Sequence, residues 1–152
     1  MGKLIQALGK AGEERAWWFF NQIGAKCVEK ISTPMKTIKG KAIFYDKSSV
    51  DFIAKIPYKL YDTEFTASRI EVKYRSSDRL NYSDLEEHQI KWLSEWSDHT
   101  LWNKNSFYSF ILWIRSDMSC YLIPFPNDYF KPGESLTIEL AKKLSWFNSE
   151  DK

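Results

Sequence analysis

At 152 residues the chain has the length of one domain, 1–152, able to bury about two-thirds of its unfolded surface in a single core. Hydrophobic residues make up 43% and charged ones 28%, which excludes a disordered chain. A net charge of +2 is too mild to announce nucleic-acid binding, so charge has to be judged by position.

No run reaches the ~18 apolar residues of a membrane span, and Met1-Gly2-Lys3-Leu4-Ile5 opens no secretory signal, so a cytoplasmic protein is expected. Cys27 and Cys120 lack CxxC spacing and a neighbouring histidine. Neither zinc nor redox chemistry is indicated, and both are expected to be buried as small apolar residues.

Taken in chain order, Ile5, Leu8, Ala16, Phe19, Phe20 and Ile23 recur at helical spacing. They predict an amphipathic helix over 3–22, stopped by Gly24. Residues 26–31 alternate like a strand until Thr33-Pro34 breaks the run, and a basic loop with Lys36, Lys39, Lys41 and Lys47 follows. Short strands are predicted at 42–45 and 50–54 and another at 69–74, with Ile70, Val72 and Tyr74 on one face and Glu71 and Lys73 on the other.

Ser83-Asp84-Leu85-Glu86 has the capping-box form and predicts a helix to about residue 98, burying Leu85, Trp92, Leu93 and Trp96. The nearly continuous apolar run 107–114 predicts a central strand covered on both faces. Ser116-Asp117 then turns into a strand at 120–123, and after Pro132-Gly133 a helix over 136–147 carries Leu136, Leu140 and Leu144. The order predicts an α/β (α+β) fold, a mixed central sheet flanked by helices.

Chemistry gathers at Asp51 and the Glu71-x-Lys73 triplet. Residues two apart on a strand share a face. Carboxylates on adjacent strands can hold a hard cation such as Mg²⁺, beside which a lysine can orient or deprotonate an attacking water. The backbone carbonyl of Val72 is a further candidate ligand. A solvated strand face produces the same alternation, so its neighbours decide.

Glu13 lies on the helical stripe of Gly9, Ala16 and Phe20, with Glu14 as the alternative acid, and Gln89 lies on the stripe of Leu85 and Trp92. Each is a polar group where apolar ones are expected. Gln89 reads equally as a hydrogen-bonded core residue or as a group near metal or DNA. Lys36, Lys39, Lys41 and Lys47 before the acids, with Arg75 and Arg79 after them, are candidate phosphate contacts. Trp92 and Trp96 are expected in the core, Trp17, Trp18 and Trp102 are candidates for a dimer interface, and His88 and His99 have no partners at ligand spacing.

The ordered set Gly12-Glu13-Glu14-Arg15-Ala16, the stretch Lys30 to Pro34, Ser48-Ser49-Val50-Asp51-Phe52, Ile70-Glu71-Val72-Lys73 and Glu87-His88-Gln89 resembles the PD-(D/E)xK nuclease superfamily, and within it RecU-like and archaeal-type Holliday junction resolvases. The resemblance spans about residues 9–126. It departs from the pattern at Val50, where the superfamily's proline stands, and in the long interval between Asp51 and Glu71, which predicts an extended hairpin or loop over 57–66.

The resemblance implies a restriction-endonuclease-like core and a homodimeric, Mg²⁺-dependent endonuclease, with Mn²⁺ as a substitute metal, that cuts four-way DNA junctions in recombination and repair. Asp51 and Glu71 would ligate metal, Glu13 would complete the acidic cluster, directly or through water, Lys73 would assist the water, and Gln89 would match a family glutamine. Its home would be a bacterial or phage-infected cell. A restriction- or repair-type endonuclease acting on duplex DNA, and a non-catalytic DNA-binding protein of the same fold, are the alternatives.

Overall fold

The computed structural model describes residues 2–31, 35–38, 41–44, 51–57, 65–96 and 107–149. Helix α1 (Gly2–Gln22) is followed by strands β1 (Lys26–Lys30), β2 (Met35–Ile38), β3 (Lys41–Phe44), β4 (Phe52–Pro57), β5 (Phe65–Tyr74) and β6 (Arg79–Asn81). A single 3-10 turn (Tyr82–Asp84) leads to helix α2 (Glu87–Trp96). Then come β7 (Tyr108–Ile114), β8 (Cys120–Pro124), β9 (Ser135–Thr137), α3 (Ile138–Leu144) and β10 (Phe147–Asn148).

Six strands form one mixed sheet in the order β1-β4-β5-β7-β8-β10. All neighbours are antiparallel except the central β5–β7 pair. The expected mixed α+β class is the class observed. No described helix is long and apolar enough to cross a membrane.

α1 ends where glycine permits. Gly24 has φ +77, a left-handed conformation that costs a glycine little, and its amide bonds to the Asn21 carbonyl while Ala25 N–H bonds to that of Phe20. The helix lies over one face of the sheet, where Ala16, Phe19 and Phe20 pack with Phe52, Ile70 and Leu112. Full burial of each phenylalanine contributes about 1.5–3 kcal/mol. The opposite face has a second core, including Leu93, Ile111, Trp113, Phe125, Leu136 and Ala141. β7 serves both cores, with Phe110, Leu112 and Ile114 on the α1 side and Ile111 and Trp113 on the other, which explains its unbroken apolar run.

Several local expectations are corrected. Asp84 accepts the backbone N–H of Asn81 at 2.9 Å and thereby closes the 3-10 turn, so α2 starts later, at Glu87. Leu85 is buried ahead of the helix, and Trp92 is 43% exposed rather than in the core. The predicted last helix is interrupted at both ends. Ser135–Thr137 pairs with β6, Thr137 Oγ1 caps the short α3 by accepting Leu140 N–H at 3.2 Å, and Trp146 N–H bonds back to Leu122 in the sheet. Cys27 is exposed, with φ 54 at a register shift in β1, whereas Cys120 is buried as expected. The β4–β5 hairpin arms extend to the Pro57–Phe65 pair, and residues 58–64 lie outside the described ones.

Candidate functional site

The β4–β5 register brings the two strand acids together. Phe52 pairs with Ile70 and Ile53 with Arg69, and Asp51, at a bend just before the first of these pairs, lies beside Glu71. Asp51 stands just before β4 and is held by its backbone on both sides, with Asp51 N–H to Ile70 O at 3.1 Å and Ile31 N–H to Asp51 O at 2.8 Å. Its Oδ2 accepts Val72 N–H at 2.8 Å. On an extended strand a residue's N–H and C=O face the same side, so the Val72 carbonyl also points beyond the start of β4.

Glu71 and Lys73 occupy the face of β5 opposite Ile70 and are only 4% and 7% exposed. Lys73 Nζ lies 3.7 Å from Glu71 Oε1, and Gln89 Nε2 donates to the same oxygen at 2.6 Å. Gln89 Oε1 in turn accepts Glu86 N–H at 2.9 Å. Gln89 touches the acid and the start of α2 at once, so both ends of its amide have partners. It thereby ties the Glu71 carboxyl to the start of α2.

Burial, then the charge of Asp51 beside it, pushes the Glu71 carboxyl up to about 9. Burial also raises Asp51, against the Val72 amide and the positive charges of Lys73 and Lys30, which favour its ionised form. Of the two neighbouring carboxyls, Glu71 is therefore the one that holds a proton near neutral pH. A protonated and an ionisable carboxyl side by side are a natural place for a divalent cation to take the proton's part. Asp51, Glu71 and the Val72 carbonyl are hard oxygen donors, and in kind they fit Mg²⁺.

Glu13 lines a cavity of about 280 Å³ with Gly12, Lys30, Asp51, Val72 and Arg75, and of the two central acids Asp51 is the one in its lining. An added Cβ at Gly12 would come within 3.1 Å of the Tyr74 ring, so this glycine lets α1 lie close to the site. Glu13 is partnered, with Lys30 Nζ at 2.7 Å from its Oε2, while Glu14 is exposed. Glu13 is therefore the helix acid that belongs here. Among the described residues no group of three or more acids, histidines or cysteines is set to hold a metal, which leaves two carboxylates at the centre.

Lys30 opens the Lys30–Pro34 stretch that the resemblance includes, but no role for it follows from the sequence, and the structure sets it against Glu13. Of the expected phosphate contacts, Arg75 lines the cavity, with its Nε 3.8 Å from Asp84 Oδ1, and Arg79 is exposed on β6. Lys36 and Lys41 fall in the β2–β3 hairpin with side chains that are not described, and Lys39 and Lys47 lie outside the described residues, as do His99 and Trp102. His88 Nδ1 sits 3.2 Å from Glu86 Oε2. A larger cavity of about 500 Å³, between Trp18 and Ile23 of the α1 end and Trp146 near β10, has no acid, lysine or histidine in its lining.

No protein-family model matches the chain, and no curated protein shows significant similarity to it.

Proposed function

We propose that residues 1–152 form a single Mg²⁺-dependent endodeoxyribonuclease domain that resolves four-way DNA junctions as a homodimer, with Asp51, Glu71 and Lys73 at its centre. The observation that carries this is the proximity of Asp51, just before β4, to Glu71 on β5, with Lys73 and Gln89 gathered on Glu71.

Asp51, Glu71 and the Val72 carbonyl would hold the cation, for which Mn²⁺ is a substitute. Once bound, the cation supplies Lewis-acid stabilisation of charge on the phosphate and lowers the pKa of water. Lys73, buried against Glu71, is positioned to orient or deprotonate the water. Gln89 fixes the carboxylate's orientation, which is the usual work of a residue behind a metal ligand. The Lys30–Glu13 pair adds a positive charge close to Asp51 and an acid at the rim. Arg75, Arg79 and Lys36, Lys39, Lys41 and Lys47 are the proposed phosphate contacts.

Two copies fit the two-fold symmetry of a four-way junction, and the cytoplasm of a bacterial or phage-infected cell is the setting in which such a substrate arises. One observation favours a different reading, a DNA-binding protein without catalysis. Glu13 is occupied by Lys30, leaving two carboxylates where a metal site commonly has three oxygen-bearing groups. Cleavage of a four-way junction compared with linear duplex of the same sequence tests the proposal. Preferential, symmetric nicking of the junction is expected, equal rates would point to the restriction- or repair-type endonuclease, and binding without cleavage would point to the non-catalytic protein.

A further inference from the structure

Residues paired directly across strands point to the same side of a sheet, so the face that carries Glu71 can be read as rows. Two residues before Glu71, Arg69 stands in a row with Ile53 and Glu29, and next to that runs the row of Lys26, Lys55 and Ala67. Phe65 ends the sequence of rows, with Lys26 Nζ 4.8 Å from its ring centre. Phe65 to Glu71 is six residues of strand, about 20 Å.

α2 lies along one side of these rows. Ser109 Oγ donates to Leu93 O at 2.6 Å and Trp96 Nε1 to Ala67 O at 3.1 Å. The helix therefore sets Trp92 and Trp96, one turn apart, beside Arg69, whose guanidinium is 4.7 Å and 4.1 Å from the two ring centres. Phe107 meets Trp96 edge-on at 5.0 Å. Trp92 and Phe107 are 43% and 42% exposed, although both are large apolar groups. Beyond them a cavity of about 450 Å³ is lined by Lys26, Lys55, Phe65, Ala67 and Phe107.

Cations and exposed aromatic rings thus alternate along this face of the sheet, from Arg69, two residues before Glu71, to the cavity at Phe65, and together they outline a groove. Among the described residues the acids near it are Glu29, at the far end of the Arg69 row, and Glu95, whose charge supports Arg69. Aromatic faces stack on any unpaired base, lysines meet the phosphates between bases, and a base-paired duplex offers no such base faces.

We infer that this groove binds an unpaired strand of DNA, with bases against Trp92 and Phe107 and phosphates toward Lys26 and Lys55, and leads it to the Asp51–Glu71 centre. The inference deepens the proposed nuclease function and rests on it. The preferred substrate then carries a single-stranded segment beside the phosphate that is cut, as a branch or gap provides and a fully paired duplex does not.

The test is a titration of the full chain, in EDTA, with a fluorescent oligothymidylate and with a blunt duplex of equal length, followed by anisotropy. Tighter binding of the single strand is expected. Trp92→Ala and Lys55→Glu should each weaken it about ten-fold, and Trp92→Phe should restore most of the loss. The salt dependence should fall by about 0.7 in log–log slope for the lysine lost. Circular dichroism checks that each variant is folded. Unchanged affinity in a folded Trp92→Ala or Lys55→Glu protein, or equal binding of duplex and single strand, overturns the inference. Because EDTA removes any cleavage from the titration, a protein that binds in this way and cuts nothing keeps the groove and refutes the nuclease. One that cuts in Mg²⁺ but binds both forms alike keeps the nuclease and refutes the groove.

Discussion

Gln89 Nε2 lies 2.6 Å from Glu71 Oε1 while Gln89 Oε1 holds the Glu86 amide at 2.9 Å, so one side chain fastens the start of α2 to the acid of β5. Replacing it with alanine leaves a buried carboxyl and a helix-entry N–H without these partners. Gln89→Ala should lose about 1–3 kcal/mol of stability in urea unfolding. Cleavage should fall about 10- to 100-fold, as is usual when the group behind a metal ligand is lost. A variant with wild-type stability and wild-type cleavage would show that the amide positions nothing.

The acid pair makes stability depend on pH in a defined direction. Glu71 is held up to about 9 in the fold against an ordinary 4.5, and Asp51 is shifted the same way. Between those pH values the folded state binds more protons than the unfolded one, so stability falls as pH rises. It is highest below the ordinary carboxylate range and is lost progressively on approach to about 9. In EDTA, unfolding midpoints at pH 6 and pH 8 should differ with the pH 6 sample more stable, by at most about 1.4 kcal/mol per pH unit for one group. Glu71→Gln should flatten the dependence. Mg²⁺ binding should tighten with pH because it displaces the proton.

Glu13 and Glu14 should separate cleanly. Glu13 shields Lys30, which would otherwise compete with a cation for Asp51. Glu13→Ala should therefore raise the Mg²⁺ concentration needed for half-maximal cleavage about ten-fold. Its cost in stability should stay below about 1 kcal/mol, since the pair is partly solvated. Glu14→Ala, on the exposed side of α1, should leave the Mg²⁺ titration where it was. Equal shifts for the two variants would remove Glu13 from the site.

The two thiols should differ in reactivity. Cys27 is exposed, whereas burial pushes the Cys120 thiol up to about 11, leaving almost no thiolate at neutral pH. Iodoacetamide should add one group to the native protein and two to the unfolded one, read by intact mass. Two additions under native conditions would place Cys120 in solvent.

The parts of this architecture legible in the sequence were those written by one period at a time. α1 carries an uninterrupted helical stripe up to Gly24, and Ile70, Val72 and Tyr74 alternate with Glu71 and Lys73, so both elements and the face of the acids followed directly. Asp51 and Glu71 could be named, but their proximity is a matter of register, set by the Phe52–Ile70 pair at the end of the β4–β5 ladder. Trp92 was misread because helical spacing reports which residues share a stripe and not whether that stripe is covered. At α2 the covered stripe is Gln89 and Leu93, and Trp92 stands beside Arg69 at the surface. The pairing of Lys30 with Glu13 joins the end of β1 to α1 across 17 residues, a tertiary relationship with no local signature.

Asp51 offers the most direct measurement. Asparagine there keeps an oxygen for the Val72 amide while removing the charge, so Asp51→Asn should fold and bind DNA as the unmodified protein does. In Mg²⁺, with a four-way junction as substrate, the unmodified protein should cut and Asp51→Asn should lose cleavage by about three orders of magnitude or more, the scale of losing a central electrostatic group. Unchanged cleavage by a folded, DNA-binding Asp51→Asn protein would contradict the assignment of the centre to Asp51 and Glu71.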